Sequence, residues 1–265
     1  MKAGLIQFSP EFGGVNENID KAISMIEKAD AELIILPELF NTGYLFISPE
    51  EVVNSAEEIP AGKTTRALCT IARRKNINIV AGIAEKSKND LYNSAILISP
   101  AGYVGTYRKT HLFNEENLWF KPGNTGFYVF DLGFCRVGIM ICFDSSFPNR
   151  QEYWRLKVQT LSVIRRILYF LIAMITRCLE NKVYTITANR TGREERSGKN
   201  FSYTGKSQIT APDARILYRA SAQNDEIGIV EIDVQTARNK RINEHNNIFA
   251  DRKPEYYQDL VKTNF

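Results

Sequence analysis

Three side chains in this sequence are of the types that nucleophilic chemistry on a thiol needs, and each lies where a strand would hold it out. Cys142 closes the apolar run "CRVGIMIC", Glu38 follows "ELIILP", and Lys109 sits in "YRKTHLF" behind "GYVGTY". Groups at strand ends are held rigidly by a sheet while their tips stay accessible. A thiol attacks as its thiolate, so Cys142 needs a base or a positive charge nearby. A carboxylate such as Glu38 could take the proton, and an ammonium such as Lys109 could hold the charge that develops on a substrate. Histidine is scarce, with only His111 and His245. The base for a nucleophilic cysteine is therefore one of these two, or something else entirely.

Taken singly, each residue has an ordinary reading. A cysteine ending a core strand is commonly packing, and Cys135, between Phe134 and Arg136, fits that description. A glutamate after a proline is commonly a surface residue or a helix cap, and a lysine in a polar stretch is commonly solvated. Their weight comes from occurring together within motifs.

The elements that must position them follow from periodicity. Ala3–Phe8 and the run ending at Pro37 suit buried strands, and Asn16–Ala29 and Thr64–Arg74 carry apolar residues at helical spacing. "INIVAGIAEK", "LYNSAILISP" and "GYVGTYRKTHLF" read as successive strands, the last two joined by the turn at Pro100–Gly102. Beyond Cys142 the pattern predicts a helix over 148–157, a second over 173–181, the strand "VYTITANR", a polar loop over 191–205, and strands near 207–209 and 227–232. Strands that alternate with helices but also neighbour one another fit an α/β pair of mixed sheets flanked by helices.

The totals bound the class. A chain of 265 residues with 44% apolar and 24% charged residues suits one α/β domain over 1–265 with an ample core. A net charge of +4, evenly spread and without a basic stripe of interleaved aromatics, argues against nucleic-acid binding. The N-terminus lacks the pattern of a secretory signal. The greasiest stretch, over 161–175, is shorter than the ~18–20 residues a bilayer needs and is interrupted by Arg165 and Arg166. A cytoplasmic protein without membrane contact is expected. The four cysteines form no C-x-x-C pair, so neither a zinc site nor a disulfide framework is indicated.

"LPELFNTGY", "YRKTHLF", "ENLWFKPG", "GIMICFDSSFP", "LENKVYTITANRTG", "GKSQITAP" and "ARNKRINEHNNIF" succeed one another in an order that resembles the carbon–nitrogen hydrolase (nitrilase) superfamily. The resemblance implies a four-layer α-β-β-α sandwich, homodimerised through its helical faces. It implies hydrolysis of a small nitrile, amide or carbamoyl compound through a thioester or thioimidate, without metal or organic cofactor. Carried over residue by residue, it implies Cys142 as nucleophile, Glu38 as general base and Lys109 as oxyanion-stabilising cation. Glu116 would orient Lys109 and the substrate, with Glu115 as the alternative. The backbone N–H of Phe143 would cradle the oxyanion, and Tyr44 would face the substrate. His111 then becomes a support for the Lys109 segment, and His245 a surface or packing residue. The first and fourth motifs look most like the nitrilase branch with small aliphatic substrates.

Two departures stand out. "FPN" at 147–149 replaces the usual F-P-E, and Ser145–Ser146 stand where bulky aromatics are frequent, which enlarges or loosens the pocket. More drastically, residues 158–172 replace a buried strand and a pocket loop of the "HPANLVLP" kind, with Arg165–Arg166 in the middle of the expected strand. Burying unpaired guanidinium groups there would cost several kcal/mol each. Permitted codons for 157–173, read one register over, can spell Gly-Ala-Asp-Val-Ile followed by S-H-P-A-N-L-V-L-P-Y-C. Two compensating frame slips would explain the window, and a catalytically silent homologue is the rival functional reading.

Overall fold

The Leu33–Ile35 segment shows how the fold is built. Its three residues are wholly buried, because Leu33 and Ile35 point to one apolar layer while Ile34 points to another. The computed structural model describes residues 1–147, 160–164 and 169–258. Among these, β1 (Lys2–Gln7), β2 (Leu33–Ile35), β3 (Asn78–Ser87), β4 (Asp90–Ser99), β5 (Gly102–Arg108) and β14 (Glu226–Glu231) form one six-stranded sheet in the order β14-β1-β2-β3-β4-β5. A second six-stranded sheet holds β6 (Val129–Asp131), β7 (Arg136–Ile141), β8 (Thr160–Ile164), β9 (Tyr184–Ala188), β12 (Gln208–Thr210) and β13 (Ile216–Arg219), in the order β13-β12-β9-β8-β7-β6.

Each sheet has a parallel trio at its centre, β1-β2-β3 and β7-β8-β9, with antiparallel strands on either side. Parallel neighbours require crossovers, and helices supply them. Val15–Lys28 links β1 to β2, Lys63–Lys75 lies between β2 and β3, and Tyr169–Asn181 links β8 to β9.

Side-chain alternation sorts the strands into layers. Leu5, Leu33, Ile35 and Val80 of the first sheet meet Val137, Ile139, Ile141 and Ile186 of the second. The opposite face of the first sheet, with Ile34, Ile79 and Ile96, is covered by Ala22 and Ile26 of one helix and Leu68 and Ile71 of another. On the far side of the second sheet, Met140 packs on Met174 of the third crossover helix. The result is the expected α-β-β-α sandwich in one domain. Truncating a wholly buried residue such as Ile139 to Ala costs roughly 2–5 kcal/mol.

Two expectations change. The strand feared lost within 158–172 is present: Thr160–Ile164 pairs in parallel with both β7 and β9. "TLSVI" is β-branched and apolar enough for the ladder. The rest of that window around the arginines, and the helix expected over 148–157, lie outside the described residues. The polar segment 191–205 is not a plain loop, for β10 (Arg193–Arg196) and β11 (Lys199–Ser202) form a hairpin within it. Its charged side chains hid the strands, since a two-stranded ribbon off the core needs no apolar face. The short strands β6 and β13 were also illegible as sequence.

Candidate active site

The ends of β2, β5 and β7 bring Glu38, Lys109 and Cys142 to one end of the sandwich. The chain turns sharply past β2, and Gly82 on β3 makes room for it. A Cβ at Gly82 would come within 2.7 Å of the Glu38 Cα. Glu38 is thereby pressed against the sheet with its side chain wholly buried.

Lys109 Nζ donates to Glu38 Oε1 at 2.8 Å and lies 2.8 and 2.7 Å from the two oxygens of Glu116. All three side chains are 3% exposed or less. Bringing such charges out of water is costly unless geometry and further hydrogen bonds compensate. Here they do. Asn93 Nδ2 donates to Glu38 Oε1 at 2.7 Å, the Tyr44 hydroxyl to Glu116 Oε1 at 2.6 Å, and the Phe113 N–H to Glu116 Oε2 at 2.8 Å. Burial opposes the charge on Lys109, but Glu116, then Glu38, then Cys142 outweigh it and raise its pKa above the ordinary lysine value. Burial also raises the Glu116 carboxyl above the usual carboxylate range, against the pull of Lys109.

Glu38 Oε2 accepts no hydrogen bond among the described residues, although it is buried. An orphaned acceptor in a native interior asks for an explanation. A basic oxygen kept for a proton in transit is one.

Cys142 follows the last residue of β7 and opens a 3-10 turn, Cys142–Ser146. Its φ is +45°, a left-handed value that costs a residue with a Cβ about 1–3 kcal/mol and persists only where its surroundings impose it. Asp144 braces this turn, and the sequence did not reveal that. This wholly buried carboxylate accepts from the Ile141 N–H at 3.0 Å, the Tyr107 hydroxyl at 2.8 Å and the His111 N–H at 3.1 Å, with His111 Nδ1 at 2.9 Å. Tyr107 and His111 flank Lys109, so one carboxylate ties the cysteine turn to the lysine segment. His111 also stacks on Phe147 with ring centroids 3.8 Å apart, which agrees with a supporting role. The only sequence signal for Asp144 was its place two residues after the cysteine.

Ser145, read as loosening the pocket, is itself buried and donates to the Cys142 carbonyl at 2.8 Å, tightening the turn instead. Phe143 stands next to Cys142 in the turn, with its ring edge-on to Phe113. His245 is exposed at the surface.

A cavity of about 220 Å³ adjoins the cluster, lined by Tyr44, Phe113, Glu116, Trp119 and Phe201 among others. Glu115, the alternative to Glu116, lies at its rim and pairs with Lys199 at 2.7 Å. The two glutamates are thus separated by structure: one binds Lys109, the other faces outward. Asn93, which holds Glu38 and whose carbonyl accepts the Lys109 N–H at 2.8 Å, was also missed. It looks like any strand residue in "LYNSAILISP". No described helix is long and apolar enough to cross a membrane.

Comparison with known proteins gives this geometry a context. The family model described as carbon-nitrogen hydrolase matches residues 2–242. A nitrilase of Pyrococcus abyssi is 46% identical over 263 residues, covering 97% of this chain and 99% of its own. A carbon-nitrogen hydrolase structure from Helicobacter pylori superposes with a TM-score of 0.90 at 22% identity, over 100% of this chain and 99% of that one. An amidase of Nesterenkonia sp. AN1, whose structure carries the Michael addition of acrylamide at the active-site cysteine, superposes with a TM-score of 0.79 at 20% identity, over 98% and 100% of the chains.

Proposed function

The chain belongs to the carbon–nitrogen hydrolase family, an enzyme of the nitrilase and amidase type, and from that premise we propose that it hydrolyses a small nitrile or amide with Cys142 as nucleophile. The observation that carries the reading is the Lys109 ammonium, buried in contact with two carboxylates, one of which keeps an oxygen without a hydrogen bond among the described residues.

The steps follow from the atoms. Cys142 Sγ attacks the nitrile or amide carbon while its proton passes to Glu38 Oε2. Negative charge gathers on the substrate nitrogen or oxygen, where the Lys109 ammonium and the Phe143 N–H stabilise it. One such donor is worth roughly 3 kcal/mol of barrier. With an amide, the tetrahedral adduct collapses, Glu38 returns its proton to the leaving nitrogen, and ammonia departs from a thioester. With a nitrile, the first adduct is a thioimidate, which takes up one water and loses ammonia to reach the same thioester. A further water, deprotonated by Glu38, then attacks the thioester. The acid leaves and the thiol is restored.

Glu116 keeps Lys109 aimed, because it binds the ammonium through both oxygens while Tyr44 and Phe113 fix the carboxylate. A lysine held protonated in this way cannot drift into a neutral amine that would lose the oxyanion. Support for small substrates comes from the modest cavity beside Glu116.

The test is ammonia release by the purified chain across a panel of nitriles and amides, with Cys142→Ala as control, and mass spectrometry of the acyl group trapped on Cys142. Release that survives the substitution sinks the reading. The altered stretch within 158–172 favours one rival, a silent homologue, and equal background from both proteins would establish it. Two compensating frame slips remain our account of that stretch. A gene whose codons cannot yield the shifted string ends that account.

A further inference from the structure

We propose that Glu194, held by the buried Arg190, is a positioning residue for this reaction, acting through Tyr44 on Glu116; the inference rests on the function proposed above. Tyr44 and Glu194 stand 150 residues apart in the chain. The Tyr44 N–H lies 3.1 Å from both oxygens of Glu194, and the Leu45 N–H donates to Oε2 at 2.6 Å. Two successive backbone N–H groups converging on one carboxylate form a small anion-binding nest. That nest fixes the backbone from which the Tyr44 hydroxyl reaches Glu116.

Arg190 explains why the carboxylate can sit there. Its Nη2 donates to Glu194 Oε1, and the side chains of the pair are 1% and 5% exposed. The guanidinium lies 4.3 Å from the centre of the Tyr203 ring, and its Nε and Nη1 make no hydrogen bond among the described residues. Among the described residues, the Arg190 side chain therefore hydrogen-bonds Glu194 and no other group. A buried ion pair is weak evidence for stability, since apolar residues of similar volume often do as well. What apolar residues could not do is receive the N–H groups of Tyr44 and Leu45.

The same strand grips the loop a second time. Arg196 donates to the Leu45 carbonyl at 3.0 Å and forms a two-point pair with Glu51, which accepts from the Ile47 N–H at 3.0 Å. Strand β10 thus splints the loop that carries Tyr44, and so reaches one of the groups around Lys109 from outside the cluster.

A double-mutant cycle tests this. The variants are Tyr44→Phe, Glu194→Gln and the double, with kcat for ammonia release and the pH midpoint of Cys142 alkylation by iodoacetamide, followed by mass spectrometry, as readouts. Each single variant should lower kcat roughly tenfold, and the double should fall no further, because both act on one hydrogen bond. Both singles should move the alkylation midpoint equally and in the same direction. Losses that multiply toward a hundredfold, or a Glu194→Gln enzyme at the native rate, overturn the proposal. If Glu194→Gln fails to fold by circular dichroism, Glu194→Asp replaces it. That variant keeps the charge but withdraws it by one methylene, and should lose several-fold in kcat alone and nothing further beside Tyr44→Phe. If the native chain releases no ammonia at all, the hydrolase reading falls by itself. The alkylation cycle still decides the positioning role, with unequal or absent shifts counting against it.

Discussion

Lys109 and Lys240 are both removed from water, yet their charges are governed in opposite ways. Lys240 is half-buried, its Nζ donating to the carbonyls of Asn181 and Lys182 behind the helix Tyr169–Asn181 and lying 5.1 Å from the Phe249 ring centre. Burial, helped by Lys182, lowers its pKa to about 8. Lys109 is more deeply buried and suffers the larger penalty, but Glu116 and Glu38 reverse the sign. Neutral carbonyls satisfy a lysine's hydrogen bonds without holding its proton, whereas carboxylates at 2.7–2.8 Å hold it. The comparison teaches that the cation at the candidate site is made permanent by its neighbours and not by its type.

The harshest trial of that view removes the chemistry around Lys109. Cys142→Ala takes away the proposed nucleophile, and ammonia release should fall by roughly 10⁴-fold or more. Lys109→Met comes next. It should lower kcat by about 10²–10³-fold as an oxyanion donor is lost. It also leaves Glu38 and Glu116 without their cation, a loss of about 3–5 kcal/mol that chemical denaturation would register. A Lys109→Met protein as stable as the native one would break the comparison.

Glu116→Gln sharpens it. With its first carboxylate gone, the Lys109 pKa must come down, so the alkaline limb of the kcat profile should move to lower pH. An unmoved limb would mean that Glu38 alone holds the proton. The smallest effect belongs to Lys240→Met, which should leave kcat unchanged. Because the folded pKa lies near 8 and the ordinary value is 10.5, the unfolded chain binds the extra proton between them. Native stability therefore gains from Lys240 as pH rises through that window, and the gain fades below it. Denaturation midpoints of Lys240→Met should rise less steeply with pH there than those of the native chain.

Much of the architecture was readable in advance. The buried runs of β1, β3, β4, β7 and β9 are long and apolar, and the helices Val15–Lys28 and Lys63–Lys75 carry their apolar residues on one face, so local pattern and tertiary role coincide. The hairpin of β10 and β11 was not readable, since most of its residues are polar and its partners lie in the distant Tyr44 loop. The strand Thr160–Ile164 was hidden by its neighbours Arg165 and Arg166, since a short apolar run beside two charges carries little strand signal by itself.

The sequence alone determined the inventory: a thiol, an ammonium and carboxylates at strand ends, within motifs that succeed one another in a known order. It could not decide which of the adjacent glutamates meets Lys109, because that depends on which way a short helical turn rotates its side chains. Nor could it disclose Asp144 joining the cysteine turn to the lysine segment, or Glu194 reaching Tyr44 from the far end of the chain. Those contacts are made by groups that differ in no local way from ordinary polar residues. Only the packing of two sheets face to face, with water excluded between them, gives such groups their partners and sets the charge each one carries.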